Sequence, residues 1–159
     1  MIILGLDPGT ATTGYGVIRM TNFKITAVAY GCIITKPDME MPQRLEVIYN
    51  DLGQIIQQYR PDEVAIEKLY FGRNVTNGIM VGQARGVLLL RLAQAGLTIG
   101  EYTPMQVKQA LVGFGHAEKK QVQYMVQNFL KLPELPKPDD AADALAIAIC
   151  HAHSRSGLL

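Results

Sequence analysis

The chain alternates between short apolar runs and longer stretches in which apolar residues recur every three or four positions. Ile2, Ile3, Leu4 and Leu6 form a run that stops at Asp7 and breaks at Pro8-Gly9. A run of this length, bounded by turn residues, reads as a buried strand. The Gly- and Thr-rich stretch before Tyr15 reads as a tight turn. Tyr15–Ile18 reads as a second strand and the β-branched stretch Lys24–Thr35 as a third, and three such close neighbours favour an antiparallel meander. Leu45, Ile48, Leu52, Ile55, Ile56 and Tyr59 then share one helical face, which predicts an amphipathic helix over roughly Pro42–Tyr59, stopped by Pro61.

Glu63–Glu67, EVAIE, repeats the opening pattern: a short apolar strand ending on a carboxylate. Tyr70–Val75 reads as a loop, and Thr76 or Asn77 as the cap of a long helix running to Gly96. Gly78, Gly82 and Gly86 share a face of that helix and predict very close packing there. Leu97–Tyr102 reads as a fifth strand. Pro104 opens a short helix carrying Lys108, and Val122, Met125, Val126, Phe129 and Leu130 give Glu118–Leu132 a helical apolar face. Three prolines mark Pro133–Pro138 as a linker, and Asp139–Ile149 is an alanine-rich helix with acids in its first turn, where the helix dipole favours them. The order predicts an α/β fold: a mixed five-stranded sheet flanked by helices. Nothing in composition divides the chain, so residues 1–159 read as one domain.

Charge changes this picture little. A net charge of +1 does not announce a nucleic-acid binder, so any anion site must come from local placement. Cys32 and Cys150 have no framework spacing and read as reduced thiols of a cytoplasmic protein. The N-terminal run lacks the basic flank and length of a leader. Gly86–Leu92 is interrupted by Arg91 and too short to span a bilayer, so no membrane partner is expected.

The candidate chemistry lies in the acids. Asp140 and Asp143 are three apart and share a helix face. Asp7 and Glu67 end two apolar strands, and if those strands are neighbours both acids meet at one sheet edge. Small alanine side chains allow the last helix to lie close against that sheet. Four carboxylates would then converge without a matching base, and like charges so placed cannot all ionise unaided. Divalent cations resolve the conflict, and all-oxygen ligands select hard ions such as Mg²⁺ or Mn²⁺. Two such ions suit phosphodiester hydrolysis. Each acid alone has a plainer account: Asp7 as a turn cap, Glu67 as a surface acid beside Lys68, and Asp139, Asp140 and Asp143 as dipole-serving acids. Asp139 is best read that way. The joint pattern is harder to explain by capping.

The blocks GLDPGTATTGYGVI, VAIEKLYFGRNV, GQARGVLL, QVKQALVG, AEKKQVQYMV and DAADALAIAICHAH, in that order and spacing, resemble the RuvC Holliday-junction resolvases of bacteria. The resemblance covers nearly the whole chain. It implies an RNase H-like fold, a homodimer, Mg²⁺ dependence, paired symmetric nicks in four-way junction DNA, and cooperation with the RuvA–RuvB branch-migration complex. Position by position, it implies Asp7, Glu67, Asp140 and Asp143 as the metal-binding and catalytic acids. DPGT also looks like the first phosphate loop of actin-like and sugar-kinase ATPases, but those need two lobes and far more chain.

Much of protein–DNA hydrogen bonding goes to phosphate and sugar. Arg73, Asn74, Arg85, Lys108, Lys119 and Lys120 are candidates, each in or beside a Gly-containing or helix-start segment. The resemblance places Lys108 and Lys119 near the scissile strand. It also makes Tyr70 an aromatic that stacks on a base opened at the crossover. His116, His151 and His153 read as surface or helix-end residues. The helix from Asn77 to Ala95 resembles the family's dimer element.

Overall fold

The protein is described by a computed structural model covering residues 1–69 and 74–157. Its elements are β1 (Ile2–Asp7), β2 (Thr12–Thr21), β3 (Lys24–Ile34), α1 (Met41–Tyr59), β4 (Glu63–Glu67), α2 (Val75–Gln94), β5 (Thr98–Tyr102), α3 (Pro104–Val112), α4 (Lys119–Leu130) and α5 (Asp139–Arg155). The strands form one sheet in the order β3-β2-β1-β4-β5. β1, β2 and β3 are the expected antiparallel meander, whereas β4 joins β1 in parallel and β5 joins β4 in parallel.

Period-two alternation sends side chains to two cores. Leu4, Leu6, Val64 and Ile66 point to α1 and α2, where Ile48, Leu52, Leu88 and Leu92 are fully buried. Ile3, Ile18 and Ala65 point the other way, onto α5 with α3 and α4 behind it. Asp7 and Glu67 therefore share the α5 face, since each is an even number of residues from Ile3 or Ala65.

The approach of α5 is set by glycines in the sheet. A Cβ on Gly5 would lie 2.1 Å from the Ala144 carbonyl oxygen, and one on Gly14 would lie 1.9 Å from that of Asp140. Gly5 pairs with Gly16 and Asp7 with Gly14 across the β1–β2 ladder, so the flat floor begins beside the acid. Alanines at 141, 144 and 148 complete the contact and are wholly buried. A methyl group anywhere on this floor would push α5, and both its acids, away from β1.

Several expectations shift. β2 begins at Thr12, so Thr12, Thr13 and Gly14 of the Gly/Thr stretch that reads as a turn are strand. α2 is capped by Asn74, whose side-chain oxygen accepts from the Asn77 N–H at 3.2 Å, and neither Thr76 nor Asn77 is the cap. Of the α2 glycines, Gly86 does not pack tightly, since a Cβ there would meet nothing within 4 Å, while one on Gly82 would meet only the Leu69 side chain, at 3.3 Å. The intimate contact lies instead at Gly5, Gly14 and Gly16. The last helix runs six residues past Ile149, to Arg155.

Candidate active site

Two strand ends and one helix build the site. The parallel register of β1 on β4 runs to Leu6 opposite Ile66. One further step sets Asp7 beside Glu67, with both side chains on the α5 face. α5 presents Asp140 and Asp143 from its first turn and a half. Asp7, Asp140 and Asp143 each offer a carboxylate oxygen within 4.8 Å of the other two. Glu67 stands outside this triplet but close enough to raise the Asp7 carboxyl.

The electrostatics are those of unrelieved acids. Burial, then Glu67, Asp143 and Asp140, push Asp7 from 3.8 up to about 8, against a smaller opposing pull from Lys119. Burial and Asp143 push Glu67 up to about 6, with Lys108 opposing. Asp143 is also raised, by burial first, although Lys119 Nζ lies 3.2 Å from its Oδ2. Lys119 also reaches Asp139 Oδ2 at 3.4 Å, and its ammonium is held above the ordinary lysine value by these two acids. Asp139 itself points outward to Lys119 and to Gln123. Among the described residues two lysines, Lys119 beside Asp143 and Lys108 near Glu67, stand against four converging acids and leave a negative site. Its donors are all carboxylate oxygens, with no imidazole or thiol in the triplet, which fits a hard divalent cation.

The remaining candidates divide. Lys108 and Lys119 line a cavity of about 200 Å³ with Glu67 and Asp143. Asn74 and Arg85 line a larger groove of about 560 Å³ that opens beside Glu67. Arg85 does not project freely into it: its Nε donates to the Glu67 carbonyl at 3.0 Å, and its Nη2 pairs with Glu101. Lys120 is exposed at the start of α4, next to Lys119. Tyr70 and Arg73 lie outside the described residues.

The sequence reading misses one network. His151 is not at the surface: only 5% of it is exposed. Its Nε2 lies 2.7 Å from Glu63 Oε2 and its Nδ1 lies 2.8 Å from the Tyr102 hydroxyl, while Arg155 Nη2 reaches Glu63 Oε1 at 3.1 Å. The signal was available. Glu63 shares the strand face of Glu67, and His151 follows Asp143 by eight residues, about two turns along the same helix side.

The family model described as crossover junction endodeoxyribonuclease RuvC matches residues 3–151. Crossover junction endodeoxyribonuclease RuvC of Syntrophomonas wolfei is 56% identical over 154 residues, covering 97% of this chain and 90% of that one. Its counterpart in Heliobacterium modesticaldum is 57% identical, covering 97% and 95%. Among solved structures, Thermus thermophilus RuvC in complex with a Holliday junction substrate superposes with a TM-score of 0.92 at 38% identity, covering 99% of this chain and 96% of that one. The yeast mitochondrial Holliday junction resolvase Ydc2, at 13% identity and a TM-score of 0.72, shares the fold. With a matching model over nearly its full length and close relatives on both sequence and structure, the chain belongs to the RuvC family of crossover junction endodeoxyribonucleases.

Proposed function

We propose that the chain resolves four-way DNA junctions by hydrolysing one phosphodiester per subunit, with Asp7, Glu67, Asp140 and Asp143 holding two Mg²⁺ ions, a role Mn²⁺ also fills. The observation that carries this is the convergence of three carboxylates within 4.8 Å, met among the described residues by Lys119. When bound, the ions lower the pKa of an attacking water and stabilise the charge developing on the leaving oxygen. The protein's own groups do the rest. Asp7, half-buried between Glu67 and α5, holds the central position. Lys108 and Lys119, which line the cavity beside Glu67 and Asp143, hold the scissile phosphate. Asn74 and Lys120 contribute further backbone contacts, Arg73 being the other basic candidate now that Arg85 is engaged by the Glu67 carbonyl and Glu101, and Tyr70 stacks on a base unpaired at the crossover.

Two matching cuts in a near-symmetric junction call for a two-fold homodimer. α2 offers the surface. Ile79 and Leu90 are each 54% exposed, and Gly86 lies on the same open stripe with room above it. A second copy of α2 would cover this stripe. The same reading carries a cytoplasmic setting and cooperation with a RuvA–RuvB branch-migration complex; among the described residues, no helix is long and apolar enough to cross a membrane. The test is cleavage of a synthetic four-way DNA junction in Mg²⁺ against duplex DNA and RNA controls. Paired nicks in the junction alone support the reading, and equal cutting of duplex or RNA overturns it.

A further inference from the structure

The end of β4 carries a hydrogen-bond deficit that the sequence itself builds in. Lys68 N–H donates to the Tyr102 carbonyl at 2.8 Å, toward β5. Backbone groups alternate sides along a strand, so the Glu67 carbonyl faces the other way, toward β1. In the parallel register that pairs Leu6 with Ile66, the residue whose N–H would meet that carbonyl is Pro8. Proline has no N–H. Pro8 thus ends β1 and leaves the carbonyl of Glu67 without a ladder donor, at the residue whose side chain enters the acid cluster.

Arg85 fills this gap. From the third turn of α2 its Nε donates to the Glu67 carbonyl at 3.0 Å, and its Nη2 pairs with Glu101 on β5, the residue in register with Ile66. The guanidinium side chain is only 15% exposed. Its planar fork suits one donor on a carbonyl and another on a carboxylate, an arrangement a lysine cannot reproduce. Both contacts turn the group away from a role as a free phosphate ligand.

We propose that Arg85, oriented by Glu101, is a positioning residue that replaces the missing N–H of Pro8 and fixes the Glu67 strand end against Asp7. The inference rests on the reading of Glu67 as a metal ligand. Partners that orient a ligand contribute about 10–100-fold to metal affinity. Removing the guanidinium frees the Glu67 backbone to rotate and withdraws the carboxylate from its neighbours. The DNA-facing lysines stay where they are.

The experiment is calorimetric titration of the full chain with Mn²⁺ in the absence of DNA, paired with junction binding in EDTA at several salt concentrations. Arg85→Ala is expected to weaken Mn²⁺ binding about tenfold, with junction affinity and its salt dependence unchanged. Glu101→Gln, at a side chain 44% exposed, keeps the fold and gives a smaller loss in the same direction. Adding Pro8→Ala to Arg85→Ala restores a backbone donor and recovers part of the affinity. Unchanged Mn²⁺ binding in Arg85→Ala, with weaker junction binding and a shallower salt dependence, would make Arg85 a phosphate contact and overturn the proposal. Glu67→Gln separates the two layers. If it leaves Mn²⁺ binding intact, Glu67 is no ligand and both readings fall; if it weakens binding while Arg85→Ala and Glu101→Gln do not, the positioning role alone falls.

Discussion

β4 and α5 meet twice, and the two ends of that contact are opposites. At one end Glu67 faces Asp143, with Asp7 and Asp140 beside them. At the other, four residues back along the strand and eight on along the helix, Glu63 faces His151, with Arg155 and the Tyr102 hydroxyl beside them. Backbone geometry, strand face and helix side are the same. What differs is whether the protein supplies the countercharge. Glu63 is held by its own chain's bases and reads as a fastening between helix and sheet. The acids at the far end are half-buried, with Lys119 and Lys108 the lysines set against the four among the described residues, and burial plus mutual repulsion raise Asp7 to about 8. A buried charge left uncompensated is expensive. The cation proposed for this end would relieve that cost.

Breaking the acid end should have the largest effect. Asp7→Asn keeps the shape and removes one charge, and is expected to lower junction cleavage by more than about a thousandfold, as loss of one member of a cooperating set does. Junction binding in a gel-shift assay should persist, because the basic residues are untouched. Tyr70→Ala comes next: cleavage slower by about ten- to a hundredfold at near-normal junction binding, for the loss of about 1–3 kcal/mol of stacking. Single-turnover kinetics against binding curves would show the split.

Breaking the other end should cost stability. His151→Ala leaves Glu63 half-satisfied and opens space over Gly100, whose absent Cβ makes room for the imidazole. Unfolding free energy is expected to fall by about 1–3 kcal/mol, with cleavage by the folded fraction within a few-fold of normal. Denaturant titration and active-site counting measure both. If cleavage were lost as fully as in Asp7→Asn, the two ends would not be functionally distinct.

The smallest effect is a sign. Asp7's folded value near 8 lies above its ordinary 3.8, so its favourable contribution is present below the unfolded value and is lost as pH rises toward 8. In EDTA, Asp7→Asn should therefore become more stable relative to wild type as pH rises from about 4 to 8, by a few degrees in Tm at the upper end. Divalent-ion affinity should rise over the same window, since the ion binds the ionised carboxylates.

Much of this was legible in the pattern of residues. Strands ending at Asp7 and Glu67 and the Asp140/Asp143 spacing put the acids on defined strand ends and one helix face, because period two and period 3.6 fix faces without tertiary knowledge, and the β1–β4 pairing brings them to one sheet edge. The alanine-rich surface of α5 likewise announces close approach. Other features were not legible for physical reasons. The glycines that accept α5 sit in β1 and β2, and sequence cannot say which of two glycine-rich faces will meet a partner; the α2 stripe looks the more regular and is the open one. Arg85 reads as a DNA contact because its bond partners, the Glu67 carbonyl and Glu101, are distant in the chain. His151 reads as a helix-end residue because the polar partner on β4 lies 88 positions away. The cap of α2 moved to Asn74 because Thr76 and Asn77 are equally suitable by type, and only backbone geometry chooses.

The claim that the uncompensated acids form a cation site is tested most directly by one comparison: calorimetric titration of Mg²⁺ into wild type, Asp7→Asn and Glu63→Gln, at pH 8 without DNA. The account predicts saturable binding to wild type, its loss in Asp7→Asn, and its persistence in Glu63→Gln. Equal binding by Asp7→Asn and wild type, or loss in Glu63→Gln alone, would contradict it.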